Sequence, residues 1–308
     1  LMMEKSKKVK GHKFSQHFLM TEWEQIVDAW QLKNWEDYRN VMRLGRKTRL
    51  PEKQRSILWA IFKHIRSELK SQNLLTYSDL FSRLATHLSE SKHYPFDYIV
   101  VDECQDISVA QLRFLAALGS GKPNSLFFAG DLGQRIFQQP FSWKALGVDI
   151  RGRSRNLRIN YRTSHQIRMK ADLLLGPEIA DVDGNIESRK GTISVFNGPN
   201  PNIMIYDSQE IEAECISKWL SYQINEGLMP HEIGIFVRST NELDRARKAV
   251  EKCGHPYQIL DERVSTTSGY ISISTMHLAK GLEYRAVVVM ACDDEVIPSQ
   301  ERIETVTD

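Results

Sequence analysis

Val100-Val101-Asp102-Glu103-Cys104-Gln105-Asp106 is the stretch on which the reading of this 308-residue chain turns. Upstream, Phe96 to Val101 is a short apolar run rich in β-formers, bounded by Pro95, and it predicts a buried strand. Asp102 and Glu103 then fall where that strand ends. Ligands of open α/β sheets bind beyond the carboxyl ends of the strands. Two readings share the acid pair: a strand ending in solvated acids, or a nucleotide–Mg²⁺ site. In the second, one acid holds the metal's water shell and the other polarises an attacking water.

Working outward, the pattern alternates between strand and helix. Ser108 and Gln111 have capping-box spacing ahead of a helix bearing Leu112, Leu115 and Leu118. Gly119 to Asn124 reads as a turn, and Ser125 to Ala129 as a second strand ending in Gly130-Asp131. This is a βαβ unit, which implies parallel strands. Further on, Ile203–Tyr206, Ile233–Val237, Ile271–Ser274 and Ala286–Met290 read as buried strands. Helices are predicted over 210–225 and 240–252, the latter closed by Gly254. Alternation of this kind predicts a second parallel sheet with helices on both faces. Residues 176–202, rich in Gly, Pro, Asp and Asn, read as loop. Within it, Asp181-Val-Asp183-Gly184-Asn185 is a turn, because the glycine falls two positions early for a calcium loop and the closing Glu is absent.

The part before the acids reads as helical from 21 to 90. Thr21 and Glu24 have capping-box spacing before Trp23, Ile26, Val27 and Trp30. Ile57, Leu58, Ile61, Phe62, Ile65 and Leu69 keep a three–four spacing, so one face is buried. Thr76 and Asp79 open another helix, with Leu80, Leu84 and Leu88 inward.

Hydrophobic content of 41% and charged content of 26% describe a globular chain, and a net charge of +2 does not argue for nucleic acid by itself. Lysines near the N-terminus read as a solvated tail. Arg151, Arg153, Arg155, Arg158, Arg162 and Arg168 cluster in a central stretch, where they suit either phosphates or a solvated face. Cys104, Cys215, Cys253 and Cys292 have no Cys-x-x-Cys spacing, which argues against structural zinc and a disulfide framework and fits a reducing cytoplasm. No apolar run approaches the ~20 residues that span a bilayer, so no membrane partner is expected.

Four segments stand in order: Asp102-Glu103-Cys104-Gln105-Asp106; Gly130-Asp131-Leu132-Gly133-Gln134-Arg135-Ile136-Phe137; Leu157-Arg158-Ile159-Asn160-Tyr161-Arg162-Thr163; and Ser274-Thr275-Met276-His277-Leu278-Ala279-Lys280-Gly281-Leu282-Glu283-Tyr284. Each is a moderate signal alone; the ordered set is specific. It resembles the UvrD/Rep-type DNA helicases, from about Leu74 onward.

The resemblance implies an α/β fold of the P-loop NTPase type with two RecA-like parallel-sheet domains, the first incomplete and preceded by a helical insertion. Boundaries are expected at 1–74 (helical), 75–150 (first domain) and 151–308 (second domain). It implies ATP and Mg²⁺ as cofactors and single-stranded DNA as partner, with 3′ to 5′ movement driven by closure of the domains around ATP. By the same resemblance Asp102 would hold Mg²⁺ and Glu103 would be the general base. Gln105 and Asp106 would link this site to its neighbours, and Gln134 would sense the γ-phosphate. Tyr161 would stack on adenine, and Arg162 would reach the γ-phosphate as an arginine finger. Thr275 and His277 would contact DNA backbone, after a strand and at the opening of a helix, while Gly281 and Glu283 would sit against the nucleotide, Glu283 near the ribose. Phe137, Phe141 and Trp143 supply flat surfaces, and Trp143 or Phe141 would stack on a base; the other reading of these rings is packing under the sheet edge. Cys104 stands where the family usually has alanine and is assigned to packing.

The family's Gly-x-x-x-x-Gly-Lys-Thr phosphate loop is not found in these residues. Gly45-Arg46-Lys47-Thr48 lacks the upstream glycine and reads as a turn. The family's last motif is also not found. The sequence therefore reads as an interior piece of a longer helicase, and by itself is expected to hydrolyse ATP negligibly. Two further readings stay open: a non-catalytic chain that binds DNA or a partner, and the ATPase part of a nuclease–helicase assembly.

Overall fold

The computed structural model describes residues 2–9, 12–43, 50–136, 138–174, 176, 178–261 and 264–297. The Gly45–Thr48 turn and Phe137 lie outside the described residues. The chain is a mixed α/β protein with parallel sheets and divides into two compact units, Leu1–Pro201 and Asn202–Asp308.

In the first unit, helices α1 (Met2–Ser6), α2 (Gln16–Glu22), α3 (Trp35–Asn40) and α4 (Glu52–Ser71) surround a core of Leu19, Trp23, Ile26, Val27, Tyr38, Leu58, Ile61, Phe62 and Ile65. The three–four spacing on α4 buries the expected face. The expected Thr21/Glu24 capping box does not form. Ser15 caps α2 instead, accepting the Phe18 N–H at 3.1 Å, so Thr21 lies inside a helix that has already begun. The chain continues through a π-helical turn at Trp23–Asp28. Helix α5 (Tyr77–Ser91) carries the full Thr76/Asp79 capping box. Of its three leucines only Leu88 is buried, while Leu80 and Leu84 are about 40% exposed. The inward assignment of those two is corrected: α5 meets α6 through Phe81, whose ring lies 5.5 Å from Phe114.

Strand β1 (Ile99–Val101), helix α6 (Val109–Leu118) and strand β2 (Leu126–Phe128) form the expected βαβ unit. Its strands are parallel, with Ile99 opposite Leu126 and Val101 opposite Phe128. The Ser108/Gln111 capping box is present. Side chains alternate across the pair: Val101, Leu126 and Phe128 pack on a core with Ile107, Leu112, Phe141, Trp143 and Leu146, whereas Val100 and Phe127 are exposed.

The segment 176–202 is not simply a loop. After β3 (Ile159–Asn160) and α7 (His165–Asp172) come the hairpin strands β4 (Glu178–Ala180) and β5 (Ile186–Ser188), then β6 (Ile193–Ser194), which pairs parallel with β3. The hairpin turn is held by Asp181, which accepts the N–H groups of Asp183 (2.9 Å) and Asn185 (2.8 Å), a local turn rather than a cation loop. Asp183 in turn accepts the Lys144 N–H at 3.0 Å and the Ser142 hydroxyl. These contacts attach residues 178–188 to the preceding elements, and the unit boundary accordingly falls at 201 rather than near 150.

In the second unit, β7 (Ile233–Val237), β8 (Tyr257–Ile259), β9 (Ile271–Thr275) and β10 (Ala286–Val289) form a fully parallel sheet in the order β10-β7-β9-β8. Helices α8 (Gln209–Asn225) and α9 (Leu243–Cys253) pack on each other and share one core with Ile233, Ile235, Val237, Ile271 and Ile273. The alternate β7 residue Phe236 meets Tyr284 edge-on at 5.8 Å. Among the described residues the helix layer therefore covers one sheet face, not both. Gly254 ends α9 at φ +76°, in the left-handed region that favours glycine. Ile203–Tyr206 forms no strand; Ile203 and Ile205 are exposed, and an apolar run without a ladder partner has nothing to hold it extended. No helix among the described residues is long and apolar enough to cross a membrane.

Candidate nucleotide site

Asp102 and Glu103 stand exposed at the carboxyl end of β1, as the strand reading requires. Asp102 Oδ1 accepts the Glu103 N–H at 2.8 Å. Glu103 itself lies in the left-handed region at φ +51°, ψ +39°. For a residue with a Cβ this costs about 1–2 kcal/mol, and such outliers gather at functional sites. The β ladder runs on behind them, with Ala129 N–H donating to Val101 O (2.8 Å) and Cys104 N–H to Ala129 O (2.9 Å). Burial, with Asp102 and Glu103 nearby, pushes the Cys104 thiol up to about 11, which keeps it protonated and inert.

Gln105 is buried and uses both ends of its amide. Its Nε2 donates to Glu103 Oε2, and its Oε1 accepts the Asp131 N–H at 3.0 Å. A primary amide suits this position because separate atoms donate to one partner and accept from the other. Gly130 makes the approach feasible, since a Cβ there would stand 2.4 Å from Gln105 Oε1 and 2.6 Å from Cys104 Sγ. Beyond Gly130, Asp131 Oδ1 accepts the Gly133 N–H (2.8 Å) and Oδ2 accepts Gln134 Nε2 (2.9 Å), closing a compact turn that presents Gln134 at the surface.

The β4–β5 hairpin also reaches this turn. Glu187 Oε2 accepts the Leu132 N–H at 3.2 Å. Arg189 lies 3.7 Å from Asp131 Oδ1 and donates to Asp172 Oδ1 at 2.7 Å, and Asp172 Oδ2 accepts from Arg168 at 2.7 Å. Glu187 and Arg189 escaped the sequence reading because they lie in a segment read as loop, and no local pattern signals a contact made 55 positions away.

At the end of β3, Asn160 Oδ1 accepts the N–H groups of Arg162 (2.9 Å) and Thr163 (3.0 Å). This turns the chain out of the strand and leaves Tyr161 and Arg162 exposed. Of the other central arginines, Arg151 is engaged with Asp149 and Arg153 with Asn124.

Phe141 and Trp143 are each 5% exposed. Trp143 meets Phe128 edge-on at 5.0 Å and Phe141 at 6.1 Å. A base cannot stack on rings already covered by the β2 core, so the DNA-platform assignment of Phe141 and Trp143 is corrected to packing.

In the second unit, β9 delivers Thr275, 3% exposed, whose Oγ1 lies 3.4 Å from Nε2 of the exposed His277. Met276–Ala279 form a single 3-10 turn rather than the expected helix. Gly281 follows at φ +80°, and Glu283 is exposed. Among the described residues no group of three or more His, Cys, Asp or Glu could hold a metal by itself. An exposed carboxylate at a strand end, such as Asp102, suits the other kind of Mg²⁺ site, in which phosphates and water complete the shell.

Two family profiles match the chain: the UvrD/REP helicase N-terminal domain over residues 2–142, and the UvrD-like helicase C-terminal domain over residues 260–307. The chain is 25% identical over 250 residues to a probable DNA helicase of Mycoplasma pneumoniae, covering 75% of this chain and 44% of that protein. It is 24% identical over 200 residues to the putative ATP-dependent DNA helicase YjcD of Bacillus subtilis, covering 61% of this chain and 25% of the relative. With an ATP-dependent helicase/nuclease subunit of Lactobacillus johnsonii it shares 29% identity over 139 residues, 39% of this chain and 12% of that one. The chain thus spans less than half the length of these curated relatives. With profiles for both ends of one family in the expected order, and the acid, glutamine and arginine segments arranged as described, the chain belongs to the UvrD/Rep helicase family.

Proposed function

We propose that this chain carries the motor of an ATP-dependent DNA helicase, built on two RecA-like domains with a helical insertion and moving 3′ to 5′ on single-stranded DNA. In this reading Asp102 holds Mg²⁺ and Glu103 takes the proton of the attacking water. Gln134 senses the γ-phosphate, and Arg162 stabilises the charge that develops on it. Tyr161 stacks on adenine, Gly281 and Glu283 line the nucleotide, and Thr275 and His277 meet the DNA backbone. Bound Mg²⁺ would supply charge neutralisation at the phosphates.

The observation that supports this most is the Gln105 bridge. One buried amide ties the carboxylate of Glu103 to the loop that carries Gln134, so the general base and the phosphate sensor are held in mutual register. Acids that were merely solvated would have no use for such a tether.

The test is ATP hydrolysis by the full-length protein with and without single-stranded DNA. Glu103→Gln is expected to lower turnover about 10²–10⁴-fold while nucleotide still binds, and Arg162→Ala to lower it about 10³-fold or more. Turnover indifferent to both substitutions refutes the reading. Likeness to the Lactobacillus johnsonii helicase/nuclease protein favours one second reading, the ATPase part of a nuclease–helicase assembly; DNA cleavage by the full-length protein or a bound partner would distinguish it.

A further inference from the structure

The β4–β5 hairpin has no place in the roles above, yet β5 and the residue after it meet the Gly130–Gln134 loop at two points, and the hairpin turn meets Lys144 at a third. Glu187 accepts the Leu132 N–H at 3.2 Å. Arg189 sits between Asp131 (3.7 Å) and Asp172 (2.7 Å). At the hairpin turn, Asp183 accepts the N–H of Lys144, beyond the loop, at 3.0 Å. Asp172 also accepts from Arg168, whose Nε donates to Ser194 on β6 at 3.2 Å. β6 pairs with β3, the strand that ends at Asn160 and turns out Arg162. A run of hydrogen bonds and ion pairs from Asp131 through Arg189, Asp172 and Arg168 thus reaches Ser194 on β6, and the next residue of the chain, Val195, donates its N–H to the Asn160 carbonyl at 3.0 Å.

We propose that Glu187 and Arg189 are positioning residues for phosphate sensing: Glu187 fixes the backbone of the Gln134 loop, and Arg189 couples that loop to the segment that presents Arg162. The inference rests on the reading of Gln134 and Arg162 given above. Neither residue touches nucleotide; each acts through the loop. The loop's own structure is one three-residue 3-10 turn, closed from within by Asp131, and the contacts of Glu187 and Arg189 add an outside hold to it. Both residues are partly buried, and burial raises the Glu187 carboxyl above its ordinary value, the expense of placing it there being offset in part by Arg189 and the Leu132 N–H. An ordinary surface Glu would not be placed at that cost. Arginine suits the second position because its fork reaches two carboxylates at once.

Glu187→Ala, Glu187→Gln, Arg189→Ala and Arg189→Lys in the full-length protein provide the test. Glu187→Ala and Arg189→Ala are expected to lower kcat for ATP about ten- to a hundredfold, the scale of a small misplacement of a catalytic group. They should weaken a non-hydrolysable ATP analogue while leaving ADP affinity and the denaturation midpoint near wild type, because only the γ-phosphate is read by this loop. Glu187→Gln should recover most of kcat, since the amide oxygen accepts the same N–H. Arg189→Lys should recover little, having no fork. Unchanged kcat, a parallel loss of ADP and ATP-analogue affinity, or Gln as damaging as Ala at 187 would overturn the proposal. Amide exchange provides a readout independent of turnover: Glu187→Ala should speed exchange at Leu132 about tenfold by removing its acceptor. Unaltered exchange overturns the brace itself. Faster exchange in a protein whose wild type hydrolyses no ATP would instead count against the motor reading.

Discussion

Gln105 Oε1 accepts the backbone N–H of Asp131 at 3.0 Å, over a glycine that leaves no room for a side chain. A Cβ at Gly130 would also press to 3.1 Å on the Cys104 backbone nitrogen, which is fixed in the β ladder to Ala129. Gly130→Ala therefore cannot be absorbed by a side-chain rotation alone. It should destabilise the protein by about 1–3 kcal/mol, measured by urea unfolding, and should release Gln105 from Asp131. A variant with wild-type stability would show that the glycine is not required for this approach.

Glu22 is fully buried and accepts from Tyr38 Oη at 2.8 Å and from Arg43 Nε at 3.2 Å. Arg43 also donates to the Val41 and Tyr38 carbonyls and lies over the Tyr38 ring at 4.7 Å. Removing this cation takes a charged donor away from a buried carboxylate. Arg43→Ala should therefore cost about 3–5 kcal/mol in chemical denaturation. The double change Glu22→Leu with Arg43→Met should recover most of that loss, because it removes both members of the pair. A double variant as unstable as the single one would contradict this account.

Asp28 is buried in the π-helical turn, and that burial raises its carboxyl above the ordinary 3.8, although hydrogen bonds from Thr76 and Ser78 oppose the rise. A raised folded-state value means the fold favours the protonated form. The penalty for ionising Asp28 is then absent below pH 3.8 and develops as pH rises through the folded-state value. Asp28→Asn keeps the oxygen that accepts from Thr76 and carries no charge. Its stability relative to wild type should increase as pH rises from the ordinary 3.8 to the folded-state value and then level off, read from melting temperatures across pH. A difference that shrinks as pH rises would reverse the assigned sign.

Lys92 ends helix α5 at φ +51°, in the left-handed region, with its N–H on the Leu88 carbonyl. It is exposed and its side chain is not needed for the cap. Lys92→Gly should stabilise the protein by about 1 kcal/mol through relief of the Cβ strain. A drop in melting temperature would refute this.

Much of the chain was readable one segment at a time. The acids at the end of β1, the capping boxes at Thr76 and Ser108, the buried face of α4 and the glycine that ends α9 all depend on neighbours within four residues. Errors arose where a residue's fate depends on something distant. Ile203–Tyr206 has strand composition but forms no ladder. Phe141 and Trp143 look like an exposed platform until Phe128 closes on them. Leu80 and Leu84 keep helical spacing but face outward.

What the order of residues determined alone was the chemistry on offer: an acid pair, an amide, a guanidinium and the short elements that end at each. Only the folded arrangement decided which of these act together. Gln105 meets Asp131 across 26 positions and Leu132 meets Glu187 across 55, and those bonds exist because packing brings separate strands side by side. Short-range preferences are encoded by spacing along the chain, whereas a partner for a buried donor is chosen by whatever the core places within about 3 Å.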